Sequence, residues 1–335
     1  MEFKDLFELK YREIINGYLK SQNEQSLYQG QKLSRKLIEH NISPEDVISL
    51  HKSIMIENEA TQEKLIDSFD VLLEVMIGYG LAYREHQSLR TEQLAIKNEI
   101  GLAANMQQTL LKTSIPQMDG VDIGALSVPA RQMNGDYYHF VKDERNCIAI
   151  AIADVIGKGI PAALSMSMIK YAMDNMPNNR QSPSDILENL NREVEHNVEP
   201  GMFITMCYGV YDPSECTFRY ANAGHEPGFF YDSENQQFQD LNGKGLLLGI
   251  DKQTTYNEYE NILAPGDMVI LFSDGVSECR TDEGFFERED IIDVMKEYIH
   301  LPAQDIVTNV YKDLERIQDF ELRDDFTLII LKRTE

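Results

Sequence analysis

The chain has 335 residues, 42% of them hydrophobic, and carries 31 Lys+Arg against 56 Asp+Glu, a formal net charge of −25. That charge repels nucleic-acid phosphates and anionic lipid unless a basic patch intervenes, and the sequence contains none, so neither nucleic acid nor membrane is expected as a partner. The length suits two compact units, and Cys147, Cys207, Cys216 and Cys279 are dispersed without a C-x-x-C pair, which argues against a disulfide or zinc framework.

The first residues are charged throughout, and no run approaches the roughly 18 apolar residues of a spanning helix, so a cytoplasmic protein is expected. Up to about residue 112 the one proline is Pro44, and apolar residues recur at spacings of three and four, the helical period. Ser43-Pro44-Glu45-Asp46 combines an N-cap serine, proline at the first helical position and acids in the first turn, so a helix starts there and the preceding one ends near His40. A long helix follows from about Gln62 to Leu111, with a bend or break expected near Gly80 because Gly78 and Gly80 each weaken it.

Along that helix Leu89, Gln93, Ile96, Ile100, Ala103, Gln107 and Leu110 alternate by four and three, as in the seam of a short coiled coil. Two glutamines interrupt the seam. One reading is a weak, switchable pairing between chains, in which leucine at both positions would raise basal activity; the other is a linker helix packed on the domain that follows.

After Ile115-Pro116, glycine and proline become frequent and short β-rich runs alternate with helical ones, marking a second domain. Strands are predicted over 122–128, 147–153, 203–211, 217–221, 267–273 and 326–332, and helices over 161–176, 183–197, 289–299 and 302–319. Ile148, Ile150 and Ile152 share one face of their strand and small residues the other, so both faces are expected to be buried. The expected organisation is a helical regulatory or dimerisation domain at 1–84, a helical linker at 85–115 and a catalytic domain at 116–335.

Two of the most apolar strands end in a carboxylate and a turn, at Asp154 and at Asp274, and two further acidic points accompany them at Asp136 and at Asp324-Asp325. Should these converge, mutual repulsion favours protonation unless cations neutralise them. Oxygen donors without clustered His or Cys select a hard ion such as Mg²⁺ or Mn²⁺, and a pair of such ions suits phosphate-ester hydrolysis. Gly157-Lys158-Gly159 and Gly243-Lys244-Gly245 lack the frame of a nucleotide-binding P-loop.

Five pieces occur in order over residues 131 to 327: Arg131-Gln-Met-Asn-Gly-Asp136-Tyr137, Asp154-Val-Ile-Gly-Lys-Gly-Ile-Pro-Ala-Ala163, Asn222-Ala-Gly-His-Glu-Pro227, Ser273-Asp-Gly-Val276 and Asp324-Asp-Phe-Thr327. Together they resemble the PPM-type (type 2C) metal-dependent serine/threonine protein phosphatases, in the compact bacterial branch that includes the stage-two sporulation phosphatase and the sigma-B regulators. The resemblance implies an α+β fold, with an N-terminal all-α helical bundle joined by a helical linker to an α-β-β-α sandwich that binds two Mn²⁺ or Mg²⁺ ions at one end.

Carried over by position, the resemblance gives Asp154 as the bridging ligand, the Val155 carbonyl as a ligand, and Asp274 with Asp324 on the other ion. Asp136 would orient water or ligate, Arg131 would clamp the substrate phosphate, and Asp325 would support Asp324 from behind. Eukaryotic members carry a proton-donating histidine where this chain has Ile156, so His225 is a candidate substitute or else a residue that fixes its loop. The resemblance extends over the whole chain. It implies a phosphorylated anti-sigma-factor antagonist as substrate, a kinase-like switch protein as activator acting through the N-terminal domain and linker, a homodimer, and a positive role in the sigma-B general stress response. A catalytically inert scaffold, or a phosphatase for another phosphoprotein, is the alternative.

Overall fold

The computed structural model of the chain describes residues 3–40, 42–155, 157, 159–175, 182–197, 201–281, 284–318, 320 and 322–335. Ile156, Lys158, Met176 and Asp319, which the sequence assigned to a proton-donor position, a glycine turn and two helix ends, lie outside these residues. The chain forms two units, the division falling between Asn98 and Glu99, inside the expected linker. No described helix is long and apolar enough to cross a membrane.

The first unit contains α1 (Phe3–Ser21), α2 (Glu24–Glu39), α3 (Pro44–Glu57) and the N-terminal part of α4 (Gln62–Leu111). The start of α3 is the one read from sequence: Ser43 Oγ accepts from Asp46 N at 3.1 Å, and the Asp46 carboxylate accepts from Ser43 N at 3.4 Å, a closed capping box. Tyr11, Ile15, Leu37, Val47, Ile54, Val71 and Val75 pack together out of contact with solvent. Within this core His51 Nδ1 lies 3.0 Å from Tyr11 Oη and Nε2 lies 3.1 Å from Ser68 Oγ. Because the Ser68 hydroxyl donates to Leu65 O, Nε2–H donates to Ser68 and Nδ1 accepts from Tyr11, which satisfies a neutral imidazole.

α4 shows no break at Gly78 or Gly80. Gly78 is instead a contact point, since a Cβ there would overlap Ser34 Oγ on α2, whereas at Gly80 a Cβ would meet nothing within 4 Å. Close approach of two helices, rather than a hinge, accounts for the first glycine.

The second unit takes the C-terminal end of α4, then β1 (Val121–Val128), β2 (Asp136–Lys142), β3 (Ile148–Val155), α5 (Ile160–Asn175) and α6 (Pro183–Asn197). β4 (Ile204–Asp212), β5 (Thr217–Ala223), β6 (Phe229–Asp232), β7 (Gln237–Asp240), β8 (Tyr259–Ile262) and β9 (Met268–Phe272) follow. The chain closes with α7 (Asp274–Ser277), β10 (Arg280–Thr281), β11 (Gly284–Phe285), α8 (Arg288–Tyr298), α9 (Ala303–Ile317) and β12 (Phe326–Arg333).

Two antiparallel five-stranded sheets result, one in the order β1-β12-β9-β6-β7 and the other β2-β3-β4-β5-β8. Ile148, Ile150 and Ile152 of β3 pack with Ile123, Ile329 and Leu331 of the opposite sheet, forming the interior between the sheets. Ala151 and Ala153, on the other face of the same strand, pack against Met166, Ile169, Leu187 and Leu190 of α5 and α6. The outer face of the β1-β12-β9-β6-β7 sheet is covered by Ile291, Ile306, Val307 and Val310 of α8 and α9. These layers form the α-β-β-α sandwich, with both faces of β3 buried as its sequence requires.

Candidate active site

The central strands of the two sheets bring the acidic points together at one end. Asp136 opens β2 and Asp154 lies near the end of β3, and the two are directly paired in the ladder. Asp274 begins α7 just after β9, and Asp324 and Asp325 precede β12, which pairs with β9. One carboxylate oxygen each from Asp136, Asp154 and Asp274 lies within 4.8 Å of the others. The turn that presents Asp274 depends on Gly275, where a Cβ would overlap the Asp325 carbonyl oxygen.

Asp136 is 2% exposed, and its Oδ2 has no hydrogen-bond partner among the described residues. Burial drives its pKa well above the ordinary carboxylate range, hydrogen bonds from Ser273 and Thr327 oppose that, and Asp154 and Asp325 push it further up. Asp274 is raised to about 6, first by burial and then by the charge of Asp324. An orphaned buried oxygen among converging carboxylates is a costly arrangement for a metal-free protein and a suitable one for a hard cation. The donor set therefore fits the ions that the sequence motifs imply.

Asp324 and Asp325 both line one cleft, and Asp325 also holds backbone. Its Oδ1 accepts from Ala130 N at 2.7 Å and its Oδ2 accepts from Gly135 N, so it staples both ends of the loop that carries Arg131. Asp324 and Arg131 line this cleft of about 750 Å³ with Asp154, Val155 and Asp274. Arg323 lines the same cleft; the sequence reading passed over it, although it directly precedes the Asp-Asp motif.

His225 is 5% exposed and does not line the cleft. Its Nδ1 is 2.9 Å from Thr205 Oγ1, and burial lowers its pKa to about 4. Asn222 grips its backbone at both ends, accepting from His225 N at 2.7 Å and donating to His225 O at 3.0 Å. Between the two roles left open for it, the geometry supports the fixing of its loop. Arg288, which the sequence reading missed, holds the same loop through Pro227 O at 2.7 Å and stacks 4.4 Å above the Phe229 ring.

The four-three series in α4 divides. Leu89, Gln93 and Ile96 are exposed, while Ile100 and Ala103 pack against Ala104, Met133 and Ala163. Gln107 is 4% exposed and hydrogen-bonded to Asn134, so it faces the loop before Asp136 and is not an open seam position. At this end of the helix Ile100, Ala103 and Gln107 pack on the domain that follows, as in the second of the two readings, while Leu110 is exposed.

Residues 144–334 match the family described as Stage II sporulation protein E (SpoIIE), and residues 9–82 match Phosphoserine phosphatase RsbU, N-terminal domain. Over 334 residues the chain is 54% identical to Phosphoserine phosphatase RsbU of Bacillus subtilis (strain 168), with 99% of each chain covered. Among solved structures, the SiaA-PP2C domain of Pseudomonas aeruginosa superposes with a TM-score of 0.62 at 21% identity, over 73% of this chain and 98% of that one. The PP2C phosphatase domain of SpoIIE from Bacillus subtilis, with a fragment of its regulatory domain, gives 0.55 at 18% identity, over 63% of each chain. The two solved structures share the fold of the second unit.

Proposed function

The chain belongs to the PPM-type phosphoserine phosphatases of the RsbU and SpoIIE kind, a metal-dependent enzyme family, and on that premise we propose that it hydrolyses phosphoserine on an anti-sigma-factor antagonist of the RsbV type. The observation that carries the reading is the convergence of Asp136, Asp154 and Asp274 from both sheets, in a cleft that also holds Arg131.

Asp154, the Val155 carbonyl, Asp274, Asp324 and Asp136 would hold two ions, Mn²⁺ or Mg²⁺. When bound, such ions polarise the phosphoryl group and make water acidic enough to supply a nucleophile at neutral pH. The chain's own residues do the remaining work. Arg131 offers a planar pair of donors to two phosphate oxygens, which fixes the phosphoryl group for in-line attack. Asp325 holds the loop that presents Arg131 through Ala130 N and Gly135 N. His225, neutral and buried, leaves protonation of the serine leaving group to water.

Control is assigned to the first unit. A kinase-like switch protein of the RsbT type is the proposed activator, acting on that unit and on residues 85–98 of α4, and the sigma-B general stress response is the proposed output. Ile66, Phe69, Leu73 and Ile77 expose an apolar stripe along one face of α4, which supports a homodimer formed through the first unit.

The test is dephosphorylation of a phosphoserine antagonist by the full chain with Mn²⁺, with and without the switch protein. Turnover raised by the partner supports the whole assignment. Metal-dependent turnover of small phosphate esters with none of the antagonist would replace the substrate, and metal binding without any turnover would replace the enzyme by an inert scaffold.

A further inference from the structure

The loop of residues 129–135 carries Arg131 and delivers the chain to Asp136, and it is gripped by a side chain that the chemistry above does not use. Gln107 Nε2 donates to Asn134 O at 2.7 Å, and Gln107 Oε1 accepts from Asn134 N at 3.1 Å. Asn134 passes the constraint on in two directions. Its Oδ1 accepts from Asp136 N at 3.0 Å, and its Nδ2 donates to Ser127 Oγ at 2.7 Å, the oxygen that also accepts from Thr327 Oγ1 at 2.9 Å.

Asp325 and Ser127, which hold the rest of this loop, belong to the sandwich, whereas Gln107 belongs to α4. The same device recurs nearby, where the Asn222 amide grips both backbone groups of His225. A primary amide is the side-chain group that offers a donor and an acceptor in one plane. Leucine at 107 would leave Asn134 N and O without this partner in a half-buried place, and glutamate would set a carboxylate oxygen against the Asn134 carbonyl.

We propose that Gln107 is a positioning residue for the phosphatase site: by clamping Asn134 it sets the placement of Asp136 and Arg131. The clamp rests on the phosphatase reading and adds to it a named contact through which α4 reaches the site. It also reverses an expectation. In a coiled-coil seam leucine at 107 raises basal activity, whereas leucine in place of the clamp lowers it.

The experiment uses the full chain as wild type, Gln107→Leu, Gln107→Glu and Leu111→Ala. The last variant thins the packing of the same helix on the core that the β3 sheet shares with α5 and α6, away from the Asn134 hydrogen bonds. Mn²⁺ binding is measured by calorimetry and p-nitrophenyl phosphate turnover by initial rates, both well below each melting temperature. Gln107→Leu is expected to bind Mn²⁺ about 10–100-fold more weakly, with kcat/KM falling in parallel, because that is the usual loss when the support of a metal ligand is removed. Gln107→Glu, polar enough to keep the helix soluble, falls between it and wild type. Leu111→Ala melts lower yet binds Mn²⁺ as wild type does.

Wild-type affinity and rate in both Gln107 variants, or an equal loss in Leu111→Ala, would overturn the clamp while leaving the phosphatase assignment in place. A wild-type chain that binds Mn²⁺ but never turns over would overturn the phosphatase reading itself.

Discussion

In the first unit the buried His51 has a partner on each ring nitrogen, whereas in the second the buried Asp136 keeps an oxygen with none among the described residues. The first unit is internally complete, and its unmet surface is outside, on the apolar stripe of α4. The second holds its unmet chemistry inside, among carboxylates that repel one another until cations or protons neutralise them. The two units can thus be told apart by where each leaves its unmet groups, the first on its surface and the second inside.

Substitution at the unmet carboxylate gives the largest effect. Asp136→Asn is expected to cost more than about 100-fold in Mn²⁺-dependent phosphate release, beyond the loss typical of a residue that only supports a ligand. The same change should raise the melting temperature of the metal-free protein, since an amide is cheaper to bury than an unpartnered carboxyl group. Thermal scans with and without Mn²⁺ read both effects, and a metal-free protein that melts lower would break the contrast between the units.

Next comes the core of the first unit. Leu37→Ala removes a fully buried side chain and is expected to lower that unit's stability by about 2–5 kcal/mol. Denaturant melts should then separate into two transitions, while basal turnover of p-nitrophenyl phosphate stays at the wild-type level and activation by the switch protein is lost.

The two glycines of α4 sharpen the picture at smaller scale. Gly78→Ala forces a Cβ against Ser34 and should destabilise by about 1–3 kcal/mol. Gly80→Ala meets open space and should stabilise by about 0.5–1 kcal/mol through helix propensity alone. Equal signs for the two would contradict the packing described for α2 and α4.

The subtlest contrast is in pH. Burial lowers the His51 pKa from its ordinary 6.5, so the folded first unit binds fewer protons than the unfolded chain and loses stability as the pH falls below that value. Asp274, raised to about 6 from 3.8, keeps a proton that the unfolded chain has already released, so this group adds stability to the metal-free second unit as the pH falls through that interval. His225 and His139 of the same unit, both lowered by burial, act the other way as the pH falls below 6.5. The Asp274 share is therefore read by difference: in melts of the metal-free protein between pH 7 and pH 4, Asp274→Asn should remove that gain, and His51→Gln should flatten the trend seen by a probe in the first unit.

Much of this was legible in the residues. Ser43-Pro44 fixes a helix start because capping is local, and the alternation at Ile148, Ile150 and Ile152 implied a strand with two buried faces because pleat and period are local too. The strand β2 was missed, its aromatic run Tyr137-Tyr138-His139-Phe140 being absorbed into the motif around Asp136. Gln107 was placed in a seam because a four-three spacing marks a helical face without naming what covers it. That Asp325 rather than Asp324 holds the 129–135 loop is a matter of tertiary geometry that adjacent identical residues cannot encode.

The most direct measurement is phosphate release by the full chain from a phosphoserine antagonist as Mn²⁺ is titrated, with Asp154→Asn in parallel. The account predicts saturable, metal-dependent turnover in the wild type and none in the variant, with both proteins folded by circular dichroism. Turnover that persists in Asp154→Asn, or that ignores the metal, would contradict a metal centre at the junction of β2 and β3.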